Sequence, residues 1–264
     1  MKVNEWAGVG NHNTAMFWEY DTRTGRRLNQ DPVVHPWESS YAAFGDNPVL
    51  RNDINGDDAW GMAMFAVRHP VAANQIGQFS PGSTNISTDA VRFSTRGNVL
   101  QENPSHMGSQ VNADRHTLWQ ATITSKFGTD IAKEAGDAHE DHPNALAGRG
   151  EAAIKAVRFK TEAEADEAAD LSNNIIGRGI GEANKGADMN TLAGKVAGEF
   201  YNNGLWTVQK QADGSYAIDK TKISEEQYKK LMEQYKTLDK DGFTPKEQQK
   251  RDNDADKKKS DGDY

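Results

Sequence analysis

The sequence of 264 residues contains no cysteine, and this absence removes several kinds of chemistry at once. Disulfide bonds, thiolate nucleophiles and Cys-ligated zinc are all excluded. Catalytic groups must therefore come from His, Asp, Glu, Asn or hydroxyl side chains. Any metal ion must be held by nitrogen and oxygen ligands.

Long apolar runs are also missing. The sequence has no stretch of about 18 apolar residues, the length that a membrane-spanning helix needs. Met1 to Ala7 lacks the basic segment and apolar stretch of an export signal. We expect no transmembrane segment and no signal peptide, so export would depend on another part of a longer protein or on a dedicated machine.

Positive charge is scarce, with 31 Lys and Arg against 39 Asp and Glu, a net charge of -8 and a pI near 5.4. Sequence-independent binding to nucleic acid gains its affinity from Lys and Arg that displace counterions. Nucleic acid is therefore disfavoured as a partner, although a nuclease is not excluded.

Hydrophobic residues make up 36% of the chain, while 24 glycines and a mean hydropathy of -0.84 predict irregular stretches. We expect a compact unit smaller than the chain.

Short aromatic-rich pieces, cut by Pro, Gly, Asn and Asp, run from Met16 to Gly56 and are typical of short strands or coil. Several spaced groups stand out: Tyr20-Asp21, Gly25-Arg26-Arg27, Asp31-Pro32, Pro36-Trp37, Ser39, Tyr41, Asn47-Pro48 and Asp53-Ile54-Asn55-Gly56. This order resembles the core signature of bacterial Rhs proteins. Leu28 departs from it where an aromatic is usual, and Asp46 departs where Asn is common.

In Rhs proteins this signature closes a β-cage and marks the junction to a variable toxic domain. The resemblance implies that residues after about 60 are the payload of a polymorphic toxin used in interbacterial competition. It also implies a cognate immunity protein, the Rhs shell of the parent protein and its secretion machinery, of the type VI kind, as partners. The payload would be secreted or delivered into a target bacterial cell.

Helical patterns dominate the rest of the chain. They predict helices over residues 60–76 with a break at Pro70, 112–126, 129–140, 161–180, 190–202 and 224–238. Trp206–Val208 and Tyr216–Ile218 flank Asp213-Gly214 and predict a β-hairpin. The predicted fold class is mainly α, a helical payload domain with a small C-terminal β-hairpin, preceded by a short irregular β-rich segment.

The predicted domain organisation has four parts. They are an Rhs core remnant over 1–60, a junction and extended lead-in over 61–104, a helical toxin domain over 105–240 and a disordered charged tail over 241–264. The remaining histidines are interpreted as surface or turn residues: His12, His35, His69, His106 and His142.

Polar residues recur on the inward faces of three predicted helices. Asn112, His116 and Gln120 form one row at four-residue steps. On the second helix, His139 shares the inward stripe with its alanines, and Glu140 follows at the helix end. The third helix carries a ridge of Asp170, Asn173, Asn174, Gly177, Arg178 and Gly181 between apolar flanks. Its two glycines would let a neighbouring backbone or a ligand approach closely.

These rows predict a His/carboxylate site with His116, His139, Glu140, Asp170 and Arg178 as catalytic residues. His116, His139 and Asp170 are the candidate ligands of a divalent Zn, Mn or Mg ion. The candidate substrate contacts are Asn112, Gln120, Asn173 and Asn174, with Asn174 and Arg178 placed to steady an anion. Without metal, His139 could act as a general base oriented by a carboxylate. The competing interpretation is a helical core in which these side chains satisfy one another.

Three segments carry a second resemblance: Gly108 to Gln120, Gly136 to Glu140 and Asp170 to Arg178. They are similar to an uncharacterised helical payload family of Rhs proteins, with Asp114 where an aromatic is usual. The order of His, His-Glu and Asp also resembles HD-type phosphohydrolases and all-helical zinc phospholipases, but the His-Glu pair and the short intervals depart from both.

Three functions stay open. The first is a toxin hydrolase acting on a phosphoester or phospholipid. The second is a non-enzymatic helical toxin that disrupts membranes or binds a target, which the lack of a long apolar helix disfavours. The third is a structural junction of the parent shell, which about 160 residues of distinct helical sequence disfavour.

Overall fold

The computed structural model describes the backbone of residues 12–14, 19–21, 26–27, 59–140 and 142–260, and the side-chain burial of residues 61–140 and 142–254. The chain divides into two compact units, Met1–Pro70 with Asp137–Asp141, and Val71–Gly136 with His142–Tyr264. Most of the Rhs-like segment, including Leu28 to Gly56, lies outside the described residues.

The first unit contains a small antiparallel sheet made of β1 (His12–Thr14), β2 (Glu19–Asp21) and β3 (Arg26–Arg27). Its described helix is α1 (Ala59–Arg68), in which Phe65 is buried. The Phe65 ring lies 5.2 Å from that of His69. This helix ends at Arg68, and the next helix begins at Pro70. The helix predicted over 60–76 is therefore broken at Pro70, as expected, because proline cannot supply the N–H that continues a helix.

The remaining elements follow in order: α2 (Pro70–Ile76), α3 (Ile86–Ser94), a short 3-10 turn (Arg96–Asn98), α4 (Gln110–Phe127), α5 (Thr129–Asp137), α6 (Glu151–Lys155), α7 (Glu162–Ala183), α8 (Met189–Asn202), β4 (Leu205–Lys210), β5 (Tyr216–Thr221), α9 (Glu225–Tyr235) and α10 (Pro245–Ser260). The strands β4 and β5 form an antiparallel hairpin. The prediction of a mainly helical chain with a C-terminal hairpin is confirmed.

Side-chain caps define where several helices begin. The Thr161 hydroxyl accepts the Glu164 N–H while the Glu164 carboxylate accepts the Thr161 N–H, and this pair of bonds forms a capping box. Ser224 and Gln227 cap α9 in the same way. Each such cap satisfies backbone donors that have no partner within the helix, a contribution of about 1 kcal/mol.

The core of the second unit lies around α4, α8 and the hairpin. Leu118 and Ile123 of α4 are fully buried, and α8 contributes Leu192, Val196 and Phe200 at four-residue steps. Burying each of these side chains stabilises the fold by about 1.5–3 kcal/mol. Among the described helices, none combines the length and the apolar character needed to cross a bilayer.

Within the segment predicted as a junction and extended lead-in, residues 61–104, the prediction of extended structure is wrong at α3. The stretch from Ala90 to Thr95 alternates like a strand, yet Ile86, Ala90 and Phe93 are buried along one face of a helix. Asn85 caps this helix by accepting the Thr88 N–H at 2.8 Å. A nine-residue helix presents too few turns for its period to outweigh that alternation.

The prediction of a structureless tail from residue 241 is wrong for the stretch that α10 covers. Thr244 and Glu247 exchange hydrogen bonds at the start of this helix, and Glu247 forms an ion pair with Arg96 at 3.0 Å. The ring of Phe243 is buried and lies 3.8 Å from the Arg92 guanidinium carbon. These long-range contacts secure a segment whose composition alone is typical of disorder.

Candidate active site

The two predicted polar rows face each other across the contact between α4 and α7. Contacts advance along both helices together, from Asn112 with Asp170, through Gln120 with Arg178, to Ala121 with Gly181. The two helices therefore run parallel, with partners 58 to 60 residues apart. The rows that the sequence placed on separate helices form one continuous polar strip.

Two glycines make this close packing possible. A Cβ atom on Gly177 would lie 2.4 Å from the Thr117 carbonyl oxygen, and one on Gly181 would lie 2.4 Å from the Ala121 carbonyl oxygen. Such distances are far inside van der Waals contact. The prediction that these glycines admit a neighbouring backbone is confirmed, and the neighbour is α4.

The first part of the strip is a hydrogen-bonded cluster. The side-chain amide nitrogen of Asn112 donates to Asp166 at 2.8 Å and to Asp170 at 2.9 Å, while its oxygen accepts from Arg115. Asn112 is 2% exposed, so its side chain contacts other protein groups and not solvent. Its observed partners are protein side chains, which places it in a positioning role for the two carboxylates.

His116 lies between an arginine and a carboxylate. Its Nε2 atom is 3.3 Å from Asp170 Oδ2 and 3.3 Å from Arg115 Nη2. Because a guanidinium only donates, unprotonated Nε2 can accept from Arg115, and protonated Nε2 can donate to Asp170. Both forms of the ring thus have a partner, which suits a group that gains and loses a proton.

The second part of the strip contains Gln120, Asn174 and Arg178. Arg178 donates to Gln120 Oε1 at 3.3 Å. Gln120 is fully buried, and a Cβ on Gly136 would lie 2.6 Å from its amide nitrogen. Asn174 is 1% exposed, and neither its oxygen nor its nitrogen has a hydrogen-bond partner among the described residues. The predicted residues are close together here, but Gln120 and Asn174 are closed to solvent.

Asn173 has a different role from the substrate contact that the sequence predicts. Its amide nitrogen donates to the Trp206 carbonyl at 2.9 Å, and its oxygen accepts the Trp206 N–H at 2.9 Å. The side chain is fully buried and joins α7 to β4. Because both ends of the amide are engaged by one backbone residue, Asn173 supports the fold.

We expect Asn173→Ala to lower the free energy of unfolding by roughly 2 kcal/mol, since it leaves the N–H and carbonyl of Trp206 buried without partners. Urea unfolding of the whole chain measures this. Asn174→Ala is the matched control, because it removes a neighbouring and equally buried amide that has no described partner. Equal losses in the two variants would show that the bonds to Trp206 do not set the cost.

The inward orientation predicted for His139 is wrong. Helix α5 ends at Asp137, so His139 lies in a turn beyond the helix and its side chain is exposed. The predicted helical face assumed three more residues of helix than exist. Glu140 follows directly and is half-buried. Both residues belong to the unit that contains Met1–Pro70.

Two residues of the cluster were missed by the sequence reasoning. Asp166 accepts the Gly108 N–H and the Asn112 amide, and burial raises its pKa from 3.8 to about 6 despite those bonds. Arg115 donates to Asn112 beside His116. Both could have been found from helical spacing, because Asp166 precedes Asp170 by one turn and Arg115 follows Asn112 by three residues.

Asp114, which stands where the resemblance leads one to expect an aromatic, is 1% exposed, and neither of its carboxyl oxygens has a hydrogen-bond partner among the described residues. Burial raises the pKa of Asp114 from 3.8 to about 7. Burial, and then the charge of Asp114, raise the pKa of Tyr235 well above 10. An acidic group stands in the core where an aromatic would be expected.

Residues 64–204 match a protein family described as a domain of unknown function, DUF6973. Comparison with curated proteins and with solved structures found no match. The matched region covers more than half of the chain and includes α4 and α7 in full. The chain therefore belongs to the DUF6973 family.

Proposed function

We propose that the chain is the payload of an antibacterial toxin and that it acts as a hydrolase centred on His116 and Asp170. The observation that carries the enzyme proposal is the 3.3 Å approach of His116 Nε2 to Asp170 Oδ2. The side chains of His116 and Asp170 are 17% and 8% exposed, so the pair is shielded from water but not sealed. The toxin proposal is supported by the Rhs-like segment that precedes the helical domain in the sequence.

The pair suits general base catalysis. His116 would take a proton from water, and the imidazolium that results would be stabilised by Asp170. The water oxygen would bond to the phosphorus of a phosphoester or phospholipid. The bond from phosphorus to the alcohol oxygen would break, and the alcohol would leave with the proton that His116 had taken. Arg115, beside His116, supplies positive charge for the anionic substrate.

The same donors suit a divalent metal ion. Two ligand atoms at about 2.1 Å from a tetrahedral ion lie about 3.4 Å apart, close to the separation of the His116 and Asp170 atoms. His116, Glu140 and Asp170 are side chains of the types that could hold such an ion. We therefore propose His116 and Asp170 as the ligands, without the exposed His139. Zn, Mn and Mg are the candidate metals.

The test uses the whole chain expressed in a bacterium that lacks the immunity protein. We expect His116→Gln and Asp170→Asn to abolish growth inhibition while far-UV circular dichroism stays unchanged, because each removes one half of the pair. His106→Asn is the matched control, since His106 lies 3.3 Å from Glu102 but is 73% exposed. Metal content of the purified chain, compared between wild type and Asp170→Asn, separates the metal-dependent from the metal-free mechanism.

Growth inhibition that persists in both pair variants would refute the enzyme proposal. It would direct attention to the non-enzymatic toxin, which liposome leakage measures. Loss of inhibition in His106→Asn as well would mean that the assay reports general damage to the protein.

A further inference from the structure

A groove of about 400 Å³ lies in the second unit beside the first turns of α7. It shares no lining residue with the polar strip of α4 and α7. Its walls are formed by His142, Ala145, Arg158, Phe159, Lys160, Glu164, Glu167 and Ala168. The volume is in the range of sites for small ligands, about 300–1,000 Å³.

Glu167 fixes the orientation of the His142 ring in this groove. Its carboxylate accepts the His142 backbone N–H through Oε1, and Oε2 lies 3.2 Å from His142 Nδ1. A carboxylate on Nδ1 holds the proton there in the neutral ring and leaves Nε2 for another partner. The His142 side chain is 69% exposed, so a ligand can reach it from solvent.

The acidic side chains of the groove are already engaged. Glu164 accepts the backbone N–H groups of Lys160 and Thr161 at 2.9 and 3.1 Å, and Glu167 accepts from His142. Their negative charge is thus partly offset within the protein. The donors that remain at the groove belong to basic side chains.

Those donors are Arg158 and Lys160, which flank Phe159. Arg158 Nη1 donates to the carbonyls of Lys155 and Val157, both at 3.0 Å, which leaves its other N–H groups available. The backbone of Phe159 pairs with Tyr216 at 2.8 and 2.9 Å, so the two cations are attached to a secured strand-like segment. Phe159 itself is partly buried and packs against a hydrophobic cluster that includes Trp206 and Ile218. Its ring gives the groove an apolar wall.

We propose that this groove binds a small oxyanion ligand, a phosphate or carboxylate joined to an apolar group. Arg158 and Lys160 neutralise the anion, His142 donates to it from Nε2 when protonated, and Phe159 contacts the apolar part. The site is independent of the proposed hydrolase centre. The proposal rests on three observations: the groove, the orientation of the His142 ring by Glu167, and the two cations Arg158 and Lys160.

Titration of the whole chain with phenyl phosphate, followed through the His142 ring resonances by NMR, tests this proposal. We expect a saturable shift of these resonances, because the bound anion would accept a hydrogen bond from the His142 ring. Arg158→Gln should weaken binding about tenfold, the effect of losing one charged hydrogen bond. Arg149→Gln is the matched control, since it removes the same charge from an exposed position of the same unit that does not line the groove.

Benzoate, titrated in parallel, distinguishes a carboxylate from a phosphate as the preferred anion, and saturable binding of either supports the site. Absence of a saturable shift with both probes would overturn the proposal. Equal weakening by Arg149→Gln and Arg158→Gln would also overturn it, because the effect would then be one of net charge alone. Thermal unfolding of each variant confirms that the measurements are made on folded protein.

Discussion

Gly177→Ala should lower the free energy of unfolding by about 3 kcal/mol, although alanine is the better helix former. The added Cβ would lie 2.4 Å from the Thr117 carbonyl oxygen and 2.8 Å from Gln120 Cβ. Backbone on the facing helix cannot move aside as a flexible side chain can. The helices must therefore separate, and the polar strip between them would lose its hydrogen bonds.

Gly179→Ala is the matched control for this result. Gly179 lies two residues further along α7, and a Cβ there would meet nothing within 4 Å. We expect that variant to gain about 0.5–1 kcal/mol from the ordinary preference of helices for alanine. Urea unfolding of both variants measures the difference. A Gly177→Ala protein as stable as wild type would contradict the close parallel packing of α4 and α7.

Asp114→Asn should raise the free energy of unfolding at pH 8 by up to about 4 kcal/mol, the equivalent of a pKa raised from 3.8 to about 7. The carboxyl of Asp114 is buried and is more easily ionised in the unfolded chain than in the folded one. The neutral carboxyl of Asp114 therefore contributes fully to the free energy of unfolding below pH 3.8, and this contribution is lost as the pH rises through 7. The amide of asparagine does not ionise. The free energy of unfolding of the variant should therefore lack the fall with pH that Asp114 causes in the wild type.

Urea unfolding of both proteins between pH 4 and pH 8 provides the measurement. The stability difference should be small near pH 4 and should grow by about 1.4 kcal/mol per pH unit until pH 7. Asp130→Asn, at an exposed position of α5, controls for the change in net charge. A difference between Asp114→Asn and wild type that does not change with pH would show that Asp114 ionises normally in the fold.

Local signals in the sequence predicted most of the fold. The capping boxes at Thr161 and Ser224 involve residues three positions apart, and the hairpin turn involves two adjacent residues, so each is complete within a short window. Helix α3 was missed because its stability depends on burial against distant elements. The segment at α10 was missed for the same reason, since Arg96 and Glu247 are 151 residues apart.

The polar site was predictable in composition but not in pairing. Periodicity placed His116 and Asp170 on inward faces, because a helix repeats every 3.6 residues. It could not show that they approach within 3.3 Å, since that depends on the register between two helices. His139 was misplaced because the period was carried past the end of α5, and helix ends are the least certain feature of any pattern.

The parallel course of α4 and α7 has an evolutionary consequence. Positions in direct contact stand at a nearly constant separation along the chain: Asn112 with Asp170, Gln120 with Arg178 and Thr117 with Gly177. In members of the family, we expect correlated substitutions along a line offset by about 58 to 60 residues that runs parallel to the main diagonal of the contact map. Larger residues at position 177 should be accompanied by a wider spacing and a less polar strip, so sequence divergence within the family records how closely these two helices approach.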